Sequence, residues 1–158
     1  MEFKNQNDLI FFLQDHVFTN NFSNRKFSMN DDIFISFYKF IEKKYPEYLF
    51  HGKCYRVVLV QNKNQFDQND IGFCFSYSFR GLRKFINNTK SDGRNFNYVV
   101  LVEALIDGID IYQLYKDLLD ENLIESHPYM DEDEILAINI HSIDSIQFLT
   151  EKQFNQLF

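Results

Sequence analysis

At Pro46 the sequence changes its period, and that change constrains the fold more than any other feature. Before it, apolar residues recur at helical spacing. DDIFISFYKFIEKKYP places Ile33, Phe37, Phe40 and Ile41 on one face. Asn30 or Asp31 can cap the start of this helix, and Pro46 stops it. Upstream, NDLIFFLQDHVF starts a second helix at Asn7 or Asp8. The phenylalanines of both segments read as core packing.

After Pro46 the apolar residues come in short β-branched or aromatic runs. CYRVVLVQ, IGFCFSYSF, NYVVLVEALI, DEILAINI and DSIQFL read as five strands. A polar loop, NKNQFDQND, and a turn-rich stretch, KSDGRNFN, separate the early ones. FRGLRKFINN reads as a short helix. IDIYQLYKDLLDEN reads as an amphipathic helix with Ile111, Leu114, Tyr115 and Leu118 on one face. TEKQFNQLF closes as a helix whose Thr150 and Gln153 form a capping box. The order predicts an α+β fold, with a helical lead-in (1–47) packed on a mostly antiparallel β-sheet core (48–158). No repeat or linker divides the chain, so residues 1–158 are expected to form a single domain.

Composition narrows the function. The chain has 158 residues, 45% of them hydrophobic, including 19 Phe and 9 Tyr, which suits a packed core rather than disorder. A net charge of -7 argues against a nucleic-acid backbone as the main partner. The densest basic cluster is Arg80, Arg83, Lys84, Lys90 and Arg94. Cys54 and Cys74 form no CxxC pair and read as reduced, buried thiols. No apolar run approaches the ~18 residues of a membrane span, and the N-terminus lacks the order of a signal peptide. A cytoplasmic protein is expected. His16, His51, His127 and His141 are scattered without HxxxH or HExxH spacing. There is no G-x-S-x-G, P-loop or G-x-G-x-x-G.

Three short stretches carry candidate chemistry. Arg56 lies inside a strand among Tyr and Val. It is either an edge-strand arginine reaching water or an anion binder whose planar fork fits phosphate. Ser76 and Ser78 in SYS share one face of a strand end by alternation. Glu132 and Glu134 in MDEDEILA form E-x-E before an apolar run. They are either a solvated turn or, if the strand begins there, two carboxylates on one face.

The order YR (Tyr55-Arg56), SYS (Ser76 to Ser78) and EDE (Glu132 to Glu134) resembles the R-S-E class of mono-ADP-ribosyltransferases, the bacterial-toxin and phage-encoded type. FSYSFRGLRKF looks like that family's serine motif with its following helix. YVVLVEALIDGIDI is similar to the strand and G-x-D-I segment that precede the final motif. Tyr129 stands five residues before Glu134, where toxins of this class place an aromatic. The resemblance covers residues 50–150. The chain departs from the pattern with Val57 after the motif arginine and Tyr77 in the middle of the serine motif.

The resemblance implies an ADP-ribosyltransferase-like fold with a split sheet and NAD as substrate, without a metal. Arg56 would grip the NAD pyrophosphate. Ser76 would hydrogen-bond the catalytic glutamate and the ribose, supported by Ser78. Glu134 would stabilise the oxocarbenium-like transition state, and Glu132 would deprotonate an arginine acceptor. Tyr129 would contact the target protein. Phe79, Arg83, Arg94 and Phe96 are candidates for the nicotinamide loop. LFHG (Leu49 to Gly52) looks like the opening of the diphtheria-toxin class, which would make His51 the cofactor anchor instead. A phage or bacterial effector acting on a host protein fits the small size. The alternative is a catalytically inactive transferase-like fold used as a binding or inhibitor module. In the catalytic reading, Asp131 and Asp133 face solvent and tolerate replacement.

Overall fold

The structure is a computed structural model that describes residues 2–14, 32–126 and 132–157. Helix α1 (Gln6–Phe12) is capped by Asn5, with Asp8 completing a capping box. The cap thus lies two residues before the expected start, because Asp8 serves as the third helical residue rather than the first. Helix α2 (Asp32–Lys44) buries Phe34, Phe37, Phe40 and Ile41, while Ile33 is only partly buried against the same cluster. Its expected caps, Asn30 and Asp31, lie outside the described residues. Pro46 opens a 3-10 turn, Pro46–Tyr48, that leads into the first strand.

The strands are β1 (Leu49–Val60), β2 (Cys74–Ser76), β3 (Tyr98–Asp110) and β4 (Glu134–Leu149). They close into an antiparallel barrel in the order β1-β2-β4-β3. The α+β class and the antiparallel pairing follow the sequence pattern. Closure replaces the expected split of the sheet. Helices α3 (Phe79–Ser91), α4 (Ile111–Asp120) and α5 (Glu151–Asn155) complete the fold. α4 buries Ile111, Leu114, Tyr115 and Leu118 as its periodicity predicts. Thr150 and Gln153 form the expected capping box of α5.

Two expected strands, DEILAINI and DSIQFL, are one. Against β3, the pairs Gly108↔Ala137, Asp107↔Asn139, Ile106↔Ile140, Leu105↔Ser142, Ala104↔Ile143 and Glu103↔Ser145 skip Ile138, His141 and Asp144. Each skipped residue is a β-bulge, which bends the strand and raises its twist. Ala137, Ile140 and Ile143 therefore face the barrel interior at intervals of three. Strict alternation fails there, so the sequence looks like a break. IGFCFSYSF is also shorter than expected, and only Cys74–Ser76 joins the sheet.

Three apolar clusters hold these elements. Cys54, Phe75, Val100, Val102, Ala104, Ile106, Ile135 and Ala137 fill the barrel. α3 and α5 cover Val57, Val99 and Leu101 with Leu82, Ile86 and Phe154. α1, α2 and α4 pack an aromatic layer on Ile109 and Leu136. Among the described residues, no helix is long and apolar enough to cross a membrane.

Candidate active site

One rung of the barrel collects the three motifs. Tyr55 on β1 pairs with Ser76 on β2, and Ser76 pairs with Glu134 on β4. Positions 55, 76 and 134 are thus adjacent across three strands. Arg56 follows Tyr55 and so belongs to the opposite, interior face. Its side chain turns into the gap where β1 and β2 part after their single paired position. There Nε donates to the Ile71 carbonyl and NH1 to the Cys74 carbonyl at 2.8 Å. The guanidinium supplies donors that a longer β1–β2 ladder would have supplied. Gly72, with φ +78, lets the loop wrap this closely, since a Cβ there would lie 3.3 Å from NH2. Arg56 is neither a water-reaching edge residue nor a wholly free anion fork.

Ser76 is 5% exposed. Its hydroxyl donates to the Glu132 carbonyl at 2.8 Å and accepts from the Ser78 N–H at 3.3 Å. It binds the backbone of the acidic motif, not the Glu134 carboxylate. Ser78 caps α3 by accepting from the Gly81 N–H at 3.0 Å, and its hydroxyl donates to Asp133.

The three described acids, Glu132, Asp133 and Glu134, are not equivalent, and they do not divide as the sequence suggests. Asp133 is 2% exposed, which overturns the expectation that it faces solvent. Its φ of +51 is the left-handed conformation that Asp tolerates better than most residues. That turn aims the carboxylate inward, where the Ser78 hydroxyl donates to it and Arg80 NH2 lies at 2.9 Å. It also lies at the N-terminus of α3, which favours negative charge. Glu132 precedes the strand, so it does not share a strand face with Glu134. Its Oε1 accepts from Asn88 Nδ2 on α3 at 2.8 Å. Asp131 and Tyr129 lie outside the described residues.

Glu134 opens β4 and is partly buried. Desolvation raises its carboxyl above the ordinary range, against the Cys74 thiol, which donates to it, and the nearby charge of Arg56. Burial pushes the Cys74 thiol up in turn, and Glu134 pushes it further. Tyr77 is exposed with its hydroxyl 3.5 Å from Asp133, and burial of that hydroxyl followed by the Asp133 charge raises it to about 12. Phe79 stacks on Tyr55 with ring centroids 4.8 Å apart. Compared with protein-family models, curated proteins and solved structures, the chain matches none.

Part of the basic cluster is consumed within the fold. Arg80 pairs with Asp133, and Lys90 reaches Glu151 at 2.8 Å. His51, the rival anchor, lies four residues up β1 from Tyr55, about 13 Å away at ~3.3 Å per residue. Its Nδ1 contacts Asp107 Oδ1, and His141 Nε2 lies 2.7 Å from Asp107 Oδ2. The His51 bond, followed by His141 and opposed by burial, holds the Asp107 carboxyl below its ordinary range. Sequence reasoning missed the inward turn of Asp133, and also Arg80, Gly81 and Asn88, which meet the acidic motif only through long-range packing. The one local clue was Ser78 at a helix start, which marks where α3 begins.

Proposed function

We propose that the chain is an NAD-dependent mono-ADP-ribosyltransferase that modifies a protein, with arginine as acceptor. The observation that carries this reading is the single rung Tyr55–Ser76–Glu134, which gathers one residue from each motif. The rung lies at the end of the barrel where β4 begins, and Arg56 stands beside it on the opposite, interior face.

In this reading the bond from the nicotinamide nitrogen to ribose C1′ breaks, and nicotinamide leaves with the electron pair. Positive charge builds on the ribose. The Glu134 carboxylate stabilises that charge more in the transition state than in the ground state. An arginine side chain of the target then attacks C1′, and Glu132, steadied by Asn88, takes its proton. Arg56 contributes positive potential for the pyrophosphate, with Nε and NH1 already fixed on backbone carbonyls. Ser76 acts by holding the Glu132 backbone against β2.

A second reading has its own support. Arg56 and Ser76 are bonded to backbone carbonyls, as expected of residues that build a scaffold in an inactive binding module. Incubation with labelled NAD and bacterial lysate separates the two. Glu134→Gln should lower label transfer by about 10²–10³-fold, the usual loss on removing one transition-state stabiliser. Glu132→Gln should reduce transfer to protein while sparing NAD hydrolysis. Transfer that survives Glu134→Gln removes the catalytic assignment. A folded wild type with neither transfer nor NAD hydrolysis favours the binding module.

A further inference from the structure

We propose that His51, Asp107 and His141 form a binding site for a divalent transition-metal ion of the zinc type. The three residues come from β1, β3 and β4, and their ligand atoms lie within 4.8 Å of one another. A tetrahedral ion with bonds of about 2.0–2.1 Å needs ligand atoms roughly 3.4 Å apart. The histidine–carboxylate contacts are shorter than that, with His141 Nε2 and Asp107 Oδ2 2.7 Å apart, so an ion enters by widening them while the three ligand atoms stay within the 4.8 Å they now span.

The backbone makes this convergence durable. His51 and Asp107 are direct register partners in the longest uninterrupted ladder of the barrel, from Leu49↔Ile109 to Val60↔Tyr98. Asp107 is in turn the partner of Asn139, and His141 is a bulge residue two positions further on. A bulge re-aims a side chain that regular pairing would constrain. Here it leaves Ile140 and Ile143 facing inward and sends His141 outward with Ser142. The two rings approach edge to face at 5.8 Å between centroids, on either side of one carboxylate.

The bland alternative is a surface hydrogen-bond triad. Ligand chemistry favours the metal. Two imidazoles and one carboxylate suit zinc and its late first-row neighbours, whereas magnesium and calcium prefer an all-oxygen set. Three protein ligands in an exposed setting also leave a coordination position for water. Asn139 lies 3.4 Å from His141 Nδ1. Its amide donates there when Nε2–H is bonded to Asp107. Turned over, the same amide accepts from Nδ1–H and leaves the Nε2 lone pair to the ion, the orienting contact that metal-bound histidines usually have. The ion takes the ring nitrogen that faces Asp107, and a proton carried on that nitrogen moves to the other ring nitrogen through solvent.

Full-length protein stripped with a chelator tests the site by calorimetric titration with zinc chloride and by cobalt absorption. One ion per chain is expected. His51→Ala and His141→Ala should each weaken binding about tenfold or more, and magnesium should not compete. Zinc should raise the thermal midpoint of the wild type and leave that of the double variant unchanged. Both rings are exposed, with 68% and 37% of their side-chain surfaces accessible, so the variants should keep the wild-type circular dichroism. Absence of binding by the wild type overturns the proposal. So does equal affinity in the double variant, or thiolate-to-cobalt absorption, which would assign the ion to Cys54 or Cys74. The test does not depend on transferase activity and stands whether or not that reading holds.

Discussion

Glu134 illustrates how position, rather than residue type, sets the properties of a carboxylate. In the unfolded chain its carboxyl takes an ordinary value near 4.5, and in the fold desolvation raises it. Between those two values the native state binds more protons than the unfolded state, so stability falls as pH rises through the window. Glu134→Gln lacks this contribution. Urea midpoints should show the variant gaining on the wild type as pH climbs above 4.5, with the gap levelling off past the raised value. A gap that is independent of pH, or that widens toward acid, contradicts the burial of this carboxyl. Asp133, one residue earlier, is held by named partners: Arg80 lies 2.9 Å from its Oδ1, and the Ser78 hydroxyl donates to its Oδ2. It is a structural acid in the middle of the motif, and that explains why E-x-E can hold its shape.

At the scale of elements, α3 presses its first turn onto the site. A Cβ on Gly81 would lie 2.1 Å from the Glu132 carbonyl oxygen and 2.3 Å from Ser76 Oγ. No rotamer relieves a clash with backbone, so Gly81→Ala must push α3 off the Ser76–Glu132 bond. The expected cost is about 1–3 kcal/mol, typical of overpacking, read from urea midpoints together with loss of label transfer. Gly93→Ala is the control, because its added Cβ meets nothing within 4 Å and bears only the strain of φ +79. If Gly81→Ala costs no more than Gly93→Ala, the close approach is not what holds the site. The bulges of β4 act at this scale too. Each skipped residue bends the strand and leaves two residues pointing outward, which is how a four-membered barrel closes and how His141 comes to face Asp107.

At the scale of the molecule, the helical lead-in and the barrel share a core. Leu9, Phe12, Phe34, Phe37 and Ile41 pack in one cluster with Ile109, Leu114, Leu118 and Leu136. Phe12 and Phe37 lie 4.8 Å apart, and Phe34 meets Phe73 from the loop before β2 at 5.0 Å. Residues 48–158 expressed without 1–47 would present that aromatic layer to water. The truncated protein should aggregate or bind a hydrophobic dye strongly, and its urea transition should lose cooperativity. A soluble fragment with a sharp transition would mean that the barrel core suffices.

Local period was readable in many places: the amphipathic faces of α2 and α4, the capping box of α5 and the β character of the strands after Pro46. Such features depend on neighbours within a turn or two, and the residues that encode them lie side by side in the chain. β4 was misread as two strands because its bulges replace alternation with a spacing of three, a pattern that makes sense only opposite β3. The acidic motif was misjudged for a related reason. Its partners, Ser78, Arg80 and Asn88, lie 44 to 55 residues away, and nothing local distinguishes a buried Asp133 from a solvated one. The meeting of Tyr55, Ser76 and Glu134, and that of His51, Asp107 and His141, depend on strand register. Register is set by how whole strands bury their faces against one another, so it belongs to the folded barrel and not to any stretch of sequence.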